Sequence, residues 1–246
     1  MDSDAERSAR RFRWLRLAAI SFCSSLLLAL GAPEDGATWA IWFGFVPLAW
    51  VAMEAADLPV RQRFVIGWIG GLCVGMVGFP WIASTLVRFA DAPLVLAWLG
   101  LFAFSAWTAV PFGIWVAAMG AAPREGVKAW LWPPTLWVGL VACWPAFFPY
   151  TVVIGLAEAP AWMQAAEIGG VALCEAQVVL VGIALARALR PLFRRWNGLG
   201  EAAAPLEFPD TTATSGWAAH CRAWRDRLAS RTDLTTRLME FAASKR

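Results

Sequence analysis

The sequence predicts an all-α fold: a polytopic membrane helical bundle of about six transmembrane helices, followed by a short cytoplasmic amphipathic helical tail. Three observations carry that reading. Hydrophobic residues make up 59% of the 246 residues and charged residues only 16%, against a soluble norm of roughly 45–50% and 25%. The mean hydropathy is +0.56, and a soluble fold of this length has too little interior to hide that much apolar surface. The charges are also unevenly placed, with five Arg and three acids in residues 1–16, five bases and nine acids in 17–186, and eleven bases and six acids in 187–246. The net charge of +3 therefore belongs to two ends flanking an apolar block. That layout anchors a membrane protein and excludes a nucleic-acid partner, which needs a basic face on a folded domain.

A helix crosses a bilayer with about 20 apolar residues. Leu17–Ala32 is uncharged and is lengthened by Trp14 and Leu15 across Arg16; Pro33 to Gly36 then make a turn. Thr38–Met53 follows, interrupted by Pro47 and closed by Glu54 and Asp57. Phe64–Val87 and Ala92–Pro123 are uncharged throughout. Ala129–Ala157 is uncharged but carries Pro133, Pro134, Pro145 and Pro149, and the last run, Trp162 to Ala186, contains Glu167, Glu175 and Gln177. With the N-terminus inside, thirteen Lys and Arg fall on inner segments and only Arg88 on an outer one. Cytoplasmic loops are the ones enriched in these residues, so both termini are expected in the cytoplasm. The first span resembles a signal peptide, but five further spans make it a retained anchor.

This divides the chain into a basic cytoplasmic N-terminus (1–13), a transmembrane bundle (14–189), a linker (190–216) and a cytoplasmic tail (217–246). Residues 197–216 are rich in Gly, Pro and Thr. In the tail, Trp217, Cys221, Trp224 and Leu228 form a stripe beside Arg222, Arg225 and Arg231, the pattern of a helix lying on the inner leaflet or docking a partner.

Two spans depart from plain cylinders. Gly67, Gly71 and Gly75 recur at every fourth position, which lets another helix approach closely; packing within the bundle is favoured over a dimer interface. Pro80 removes a backbone donor and should kink the third span at Phe79-Pro80-Trp81. Pro145 and Pro149 break the fifth span twice. Residues 145–160 read either as a re-entrant or interfacial segment, which needs cover at membrane depth, or as a loop on the headgroups held by Phe147, Phe148, Tyr150 and Trp162.

Catalytic patterns are sparse. His220 stands beside Cys221, too small a cluster for a metal site, and no GxSxG, HExxH or GxxxxGK[ST] pattern occurs. Cys174 adjoins Glu175, but neighbours on a helix face about 100° apart. The five cysteines form no CxxC pair and read as small buried hydrophobes. No catalytic residue, metal or cofactor is assigned. Polar groups within the membrane are costly and face a cavity or a partner, which singles out Glu175 and, nearer the interface, Glu167; a hydrogen bond between helices is the alternative for both.

Taken in order, FVPLAWVAM (45–53), RFVIGWIGGL with PWI and STL (63–86), LWV (136–138), FFPY (147–150) and MQAAEIGGV (163–171) resemble the N-terminal membrane domain of apolipoprotein N-acyltransferase. The resemblance covers residues 14–187, and no stretch resembles the family's second half. It implies the bacterial inner (cytoplasmic) membrane, lipoprotein N-acylation, and membrane phospholipid and lipoprotein as partners. The family's chemistry rests on a Glu, a Lys and a Cys in an outward nitrilase-like domain, and that triad has no counterpart here: the two lysines are Lys128 and Lys245, at an inner edge and in the tail. The resemblance thus implies a lipid- or lipoprotein-handling subunit that is not catalytic alone and works with a separate nitrilase-fold catalytic subunit. Trp81, Phe148, Pro149, Tyr150, Trp162, Glu167 and Glu175 are its expected lipid- or partner-binding residues. The alternative is a non-enzymatic scaffold or small transporter, with Glu175 and Gln177 lining a polar path.

Overall fold

Proline placement dictates where the helices start. In the computed structural model, which describes residues 2–31, 37–123, 125–147 and 151–196, every regular element is helical. Pro59 and Pro93 stand just before α3 (Val60–Gly78) and α5 (Leu94–Thr108), and Pro80 and Pro111 lie in the first turn of α4 (Pro80–Ala90) and α6 (Val110–Ala118). A proline there loses nothing, because the first-turn N–H groups have no intrahelical acceptor. The remaining elements are α1 (Asp2–Leu30), α2 (Ala40–Glu54), a 3-10 turn at Met119–Ala121, α7 (Gly126–Cys143), a second 3-10 turn at Ile154–Glu158, α8 (Pro160–Met163) and α9 (Ala165–Trp196). The chain divides into two units, Met1–Arg190 and Pro191–Arg246. The expected tail (217–246), most of the expected linker, and Phe148, Pro149 and Tyr150 lie outside the described residues.

Four stretches among the described residues are long and apolar enough to cross a membrane: Arg11–Leu30, Val60–Gly78, Leu94–Ala121 and Ala165–Pro191. The protein is a membrane helical bundle. The two other expected spans contain helices of a different kind. At 15 residues, α2 is about 22 Å long, short of the roughly 30 Å hydrocarbon core. The 18 residues of α7 include Lys128 and two internal prolines. The third expected span is broken at Phe79, so α4 is a separate helix packed on α5, as Pro80 requires.

At the centre of the bundle, α3 packs against α1, α2, α5 and α6. Its glycines make this possible. Gly67 and Gly71 lie against Phe112, Val116 and Ala109 of the α6 segment, and Gly75 against Ser105 of α5. The stripe is therefore packing within one chain. The opposite face, at Gly70, meets Ser21 of α1. Serines tie α1 down: Ser21 Oγ donates to the Ile66 carbonyl at 3.0 Å, Ser25 Oγ to that of Gly70 at 2.5 Å, and Ser24 Oγ to that of Gly44 in α2. Such side-chain bonds hold helices together where lipid gives no hydrophobic drive.

The core is aromatic. Phe45 of α2 packs against Phe112, Trp115 and Trp137, with centroids 6.4, 5.9 and 4.9 Å away, and Phe112 meets Trp137 at 4.8 Å. The Trp115 indole donates to the Pro133 carbonyl at 2.9 Å, joining α6 to α7. The segment after the described gap turns back inward. Val152, Val153 and Leu156 are buried, and Gly155 stands against the Gly31 carbonyl at the end of α1. Within residues 151–157, Val152, Val153, Gly155 and Leu156 are covered by the bundle while Ile154 and Ala157 are exposed.

Candidate functional site

The break at Phe79 and the irregular segment after α7 meet on one side of the bundle. Between them lies a cavity of about 70 Å³, lined on one side by Gly71, Val74, Gly75 and Phe79 and on the other by Phe104, Phe112, Trp137, Trp144 and Phe147, with Glu175 and Val152 also in its wall. A second hollow of about 360 Å³ is lined by Gly100, Ala103, Phe104, Trp107 and Phe147. The two share Phe104 and Phe147, so those rings form the partition. Ligand pockets usually measure about 300–1,000 Å³, which makes the hollow of about 360 Å³ the ligand-sized one of the two.

Rings build the wall in a chain of contacts. Phe79 meets Phe104 at 5.6 Å, Phe104 meets Phe147 at 6.2 Å, Phe147 meets Trp107 at 6.4 Å, and Trp107 meets Trp144 at 4.9 Å. The Trp107 indole donates to the Pro145 carbonyl at 2.8 Å and so pins the irregular segment to α5. Phe147 is 74% exposed, placing a large ring at the mouth.

Glu175 is the polar end. It is buried and accepts from the Thr151 hydroxyl at 2.5 Å, while the Thr151 oxygen accepts from the Val153 N–H at 3.3 Å. A buried carboxyl in an apolar wall needs such a donor, since the unpaired group would bear the whole cost of leaving water. The indole N–H groups of Trp137 and Trp144 line the same cavity; that of Trp137 faces the Glu175 carboxyl without closing a hydrogen bond of normal geometry, and that of Trp144 has no partner among the described residues.

Of the expected lipid- or partner-binding residues that are described, Glu175 lines this cavity and Trp81, Trp162 and Glu167 do not; Gly71, Gly75 and Phe147, noted in the sequence for other reasons, also line it. Trp81 is exposed on α4, with its ring 6.4 Å from Phe79. Trp162 is exposed and packs on Trp42 at 4.7 Å. Glu167 is exposed in the first turn of α9, separated from Glu175 by non-helical backbone at Gly169 and Gly170. Gly170 has φ 65° and ψ −170°, a region essentially reserved for glycine, so the GG of AEIGGV is a break that starts the long helix anew. Phe148, Pro149 and Tyr150 lie outside the described residues. Thr151, Trp144, Trp107 and Phe104 carried no sequence signal of their own, whereas Trp137 lies within the LWV stretch.

The sequence model of the apolipoprotein N-acyltransferase N-terminal domain matches residues 24–184. The chain belongs to this family. The match runs from α1 into α9 and takes in every residue of the cavity wall. Among curated proteins, the apolipoprotein N-acyltransferase of Bdellovibrio bacteriovorus is 28% identical over 113 residues, covering 46% of this chain and 19% of that protein. The chain thus spans under a fifth of the length of that relative in the matched region. No solved structure matches this family member.

Proposed function

We propose that this protein is a lipid- or lipoprotein-handling subunit of bacterial lipoprotein N-acylation, seated in the inner membrane with both termini in the cytoplasm. The observation that carries the reading is the aromatic-walled hollow at Phe104 and Phe147, which shares those two rings with the cavity that holds Glu175, within a domain of the N-acyltransferase family. An acyl chain lying along α5 would enter between those two rings. The carbonyl end of such a chain, or a lipoprotein amine, would meet the indole N–H groups of Trp137 and Trp144 and the carboxyl of Glu175. Trp81, Trp162, Phe148, Pro149 and Tyr150 would hold the lipid at headgroup level, where aromatic residues concentrate, with Glu167 at the same interface.

The acyl-transfer chemistry itself would come from a separate nitrilase-fold subunit. It needs a thiolate with a base and an oxyanion stabiliser in reach. Lys128 lies in the first turn of α7, beside the carbonyl of Ala129 where Arg187 docks. Cys174 stands 13 residues before Arg187 on α9, about 20 Å along the helix. A scaffold or small transporter is less well supported, because Glu175 is committed to Thr151 and its surroundings are apolar.

Crosslinking in native membranes, followed by affinity purification and mass spectrometry of bound proteins and lipids, tests the reading. A stoichiometric nitrilase-fold protein together with phospholipid is expected. Recovery of neither phospholipid, lipoprotein nor such a partner would overturn it, as would a reporter fusion placing the C-terminus outside.

A further inference from the structure

The arginine-rich end of the bundle, far along α9 from Glu175, holds a buried cation, two of whose nitrogens have no hydrogen-bond partner among the described residues. Arg63, in the first turn of α3, is only 8% exposed. Its Nε and Nη1 are buried and have no hydrogen-bond partner among the described residues. A charged guanidinium enclosed in this way is expensive unless an anion answers it. The side chain is held there by a small neighbour: a Cβ on Gly120 would fall on top of Nη1.

Gly120 also lines a hollow of about 570 Å³, together with Met53, Met119, Pro123, Arg187 and Arg190. Both of those arginines are fixed in place. Arg187 Nη2 donates to the Ala129 carbonyl at 3.0 Å and its guanidinium lies 4.4 Å over the Trp130 ring. Arg190 Nε donates to Glu54 Oε1 at 3.2 Å. Arg187 and Arg190 thus line the hollow, Glu54 is bound to Arg190, and Arg63 packs against Gly120 behind that wall. The volume suits a small ligand, and its wall is half apolar in character, with Met53, Met119, Ala52 and Pro123 beside the charges.

We infer that this hollow is a binding site for the phosphate of an anionic phospholipid headgroup, with Arg187 and Arg190 in its wall and Arg63 adding its charge from behind Gly120. Arginine is suited to phosphate because its planar fork presents several N–H donors at once. The apolar wall suits the glycerol and first methylenes of a lipid and has no use for free phosphate. The excess of cations favours a net-negative lipid over a zwitterionic one. This site is independent of the hollow at Phe104 and of the acylation reading.

The test uses the full chain purified in non-ionic detergent, with phosphatidylglycerol, phosphatidylcholine of the same acyl chains, and inorganic phosphate as probes. Lipid retention is read by native mass spectrometry, and protection by the unfolding midpoint. Phosphatidylglycerol should be retained about tenfold more tightly than phosphatidylcholine, a difference of one decade in affinity. That preference should fall in R63Q and in G120A, which keeps every charge but displaces the guanidinium. R190Q, a change at a half-exposed residue, should weaken it without unfolding the protein, so the idea stays testable if R63Q fails to fold. Equal retention of the two lipids, or a phosphatidylglycerol preference unchanged in G120A and R190Q, would overturn the inference. Protection by inorganic phosphate equal to that by phosphatidylglycerol would overturn the lipid as ligand and leave a free phosphate anion in its place.

Discussion

Arg187 donates to the backbone carbonyl of Ala129 at 3.0 Å, the acceptor that Pro133 leaves free by having no N–H to offer it four residues later. A proline inside α7 thus creates the docking point for a charge on α9, and the Trp130 ring beneath the guanidinium completes it. Hydrogen bonds to charged groups contribute about 1.5–3 kcal/mol. R187M should therefore lower stability by about that amount in detergent unfolding. In a P133A background, where the helix bond reclaims the carbonyl, the loss should be smaller by about 1 kcal/mol. Strict additivity of the two changes would show that the proline does not set up the contact.

Thr151 and Glu175 lie 24 residues apart in the chain and share the short bond at the inner end of the cavity. T151V removes the donor and leaves a buried carboxyl without it, which should cost about 1–3 kcal/mol. E175Q retains an acceptor oxygen for the Thr151 hydroxyl and should cost less. Equal destabilisation by the two variants, measured by unfolding in one detergent, would mean that the hydroxyl contact does not hold residues 151–153 in place.

The glycines of α3 and α7 make opposite predictions. A Cβ at Gly75 would stand 2.6 Å from the Ser105 Cβ and 2.9 Å from its Cα, so G75A must push α5 away. Overpacking of this kind costs about 1–3 kcal/mol. At Gly139, exposed on α7, a Cβ meets nothing within 4 Å. G139A should be neutral or stabilise by about 0.5–1 kcal/mol, the usual gain in a helix interior. Thermal unfolding of the pair checks both signs at once.

The parts of this fold that were legible in the sequence are those set by backbone chemistry or by hydropathy. Pro80 announced the break at Phe79, the Gly67–Gly71–Gly75 spacing announced a close helix neighbour, and the uncharged runs announced the long helices. Glu175 was legible because a charge in an apolar run has to be buried against something. Its partner was not, since the Thr151 contact depends on how the chain returns after Pro145 and Pro149. The aromatic wall was hidden by composition: with 17 Trp and 15 Phe in the chain, Phe104 and Trp107 carry no distinguishing mark. Arg63 reads from sequence as one more inner-loop charge, because hydropathy counts a charge without saying which way the helix turns it. Only the fold sets it against Gly120, 57 residues away.

Arg13 grips Asp57 with two bonds of 2.7 Å, one from each terminal nitrogen, and Nη2 also reaches the Glu54 carbonyl at 2.5 Å. The hydrogen bond from Arg13 holds the Asp57 carboxyl below its ordinary value, with burial opposing it. A folded value lower than the unfolded one of about 3.9 means that the stabilisation is fully present above the unfolded value. It is lost as pH falls through the depressed folded value. Asp57 remains largely exposed, with 64% of its side chain accessible, so the pair contributes about 0.5 kcal/mol or less. The protein and its D57N variant should therefore differ slightly in unfolding midpoint at neutral pH and converge as the pH falls through the depressed folded value. High salt should shrink the neutral-pH gap, because exposed charges are screened. A gap that stays constant across the whole pH range would assign the effect to the shape of the side chain and not to its charge.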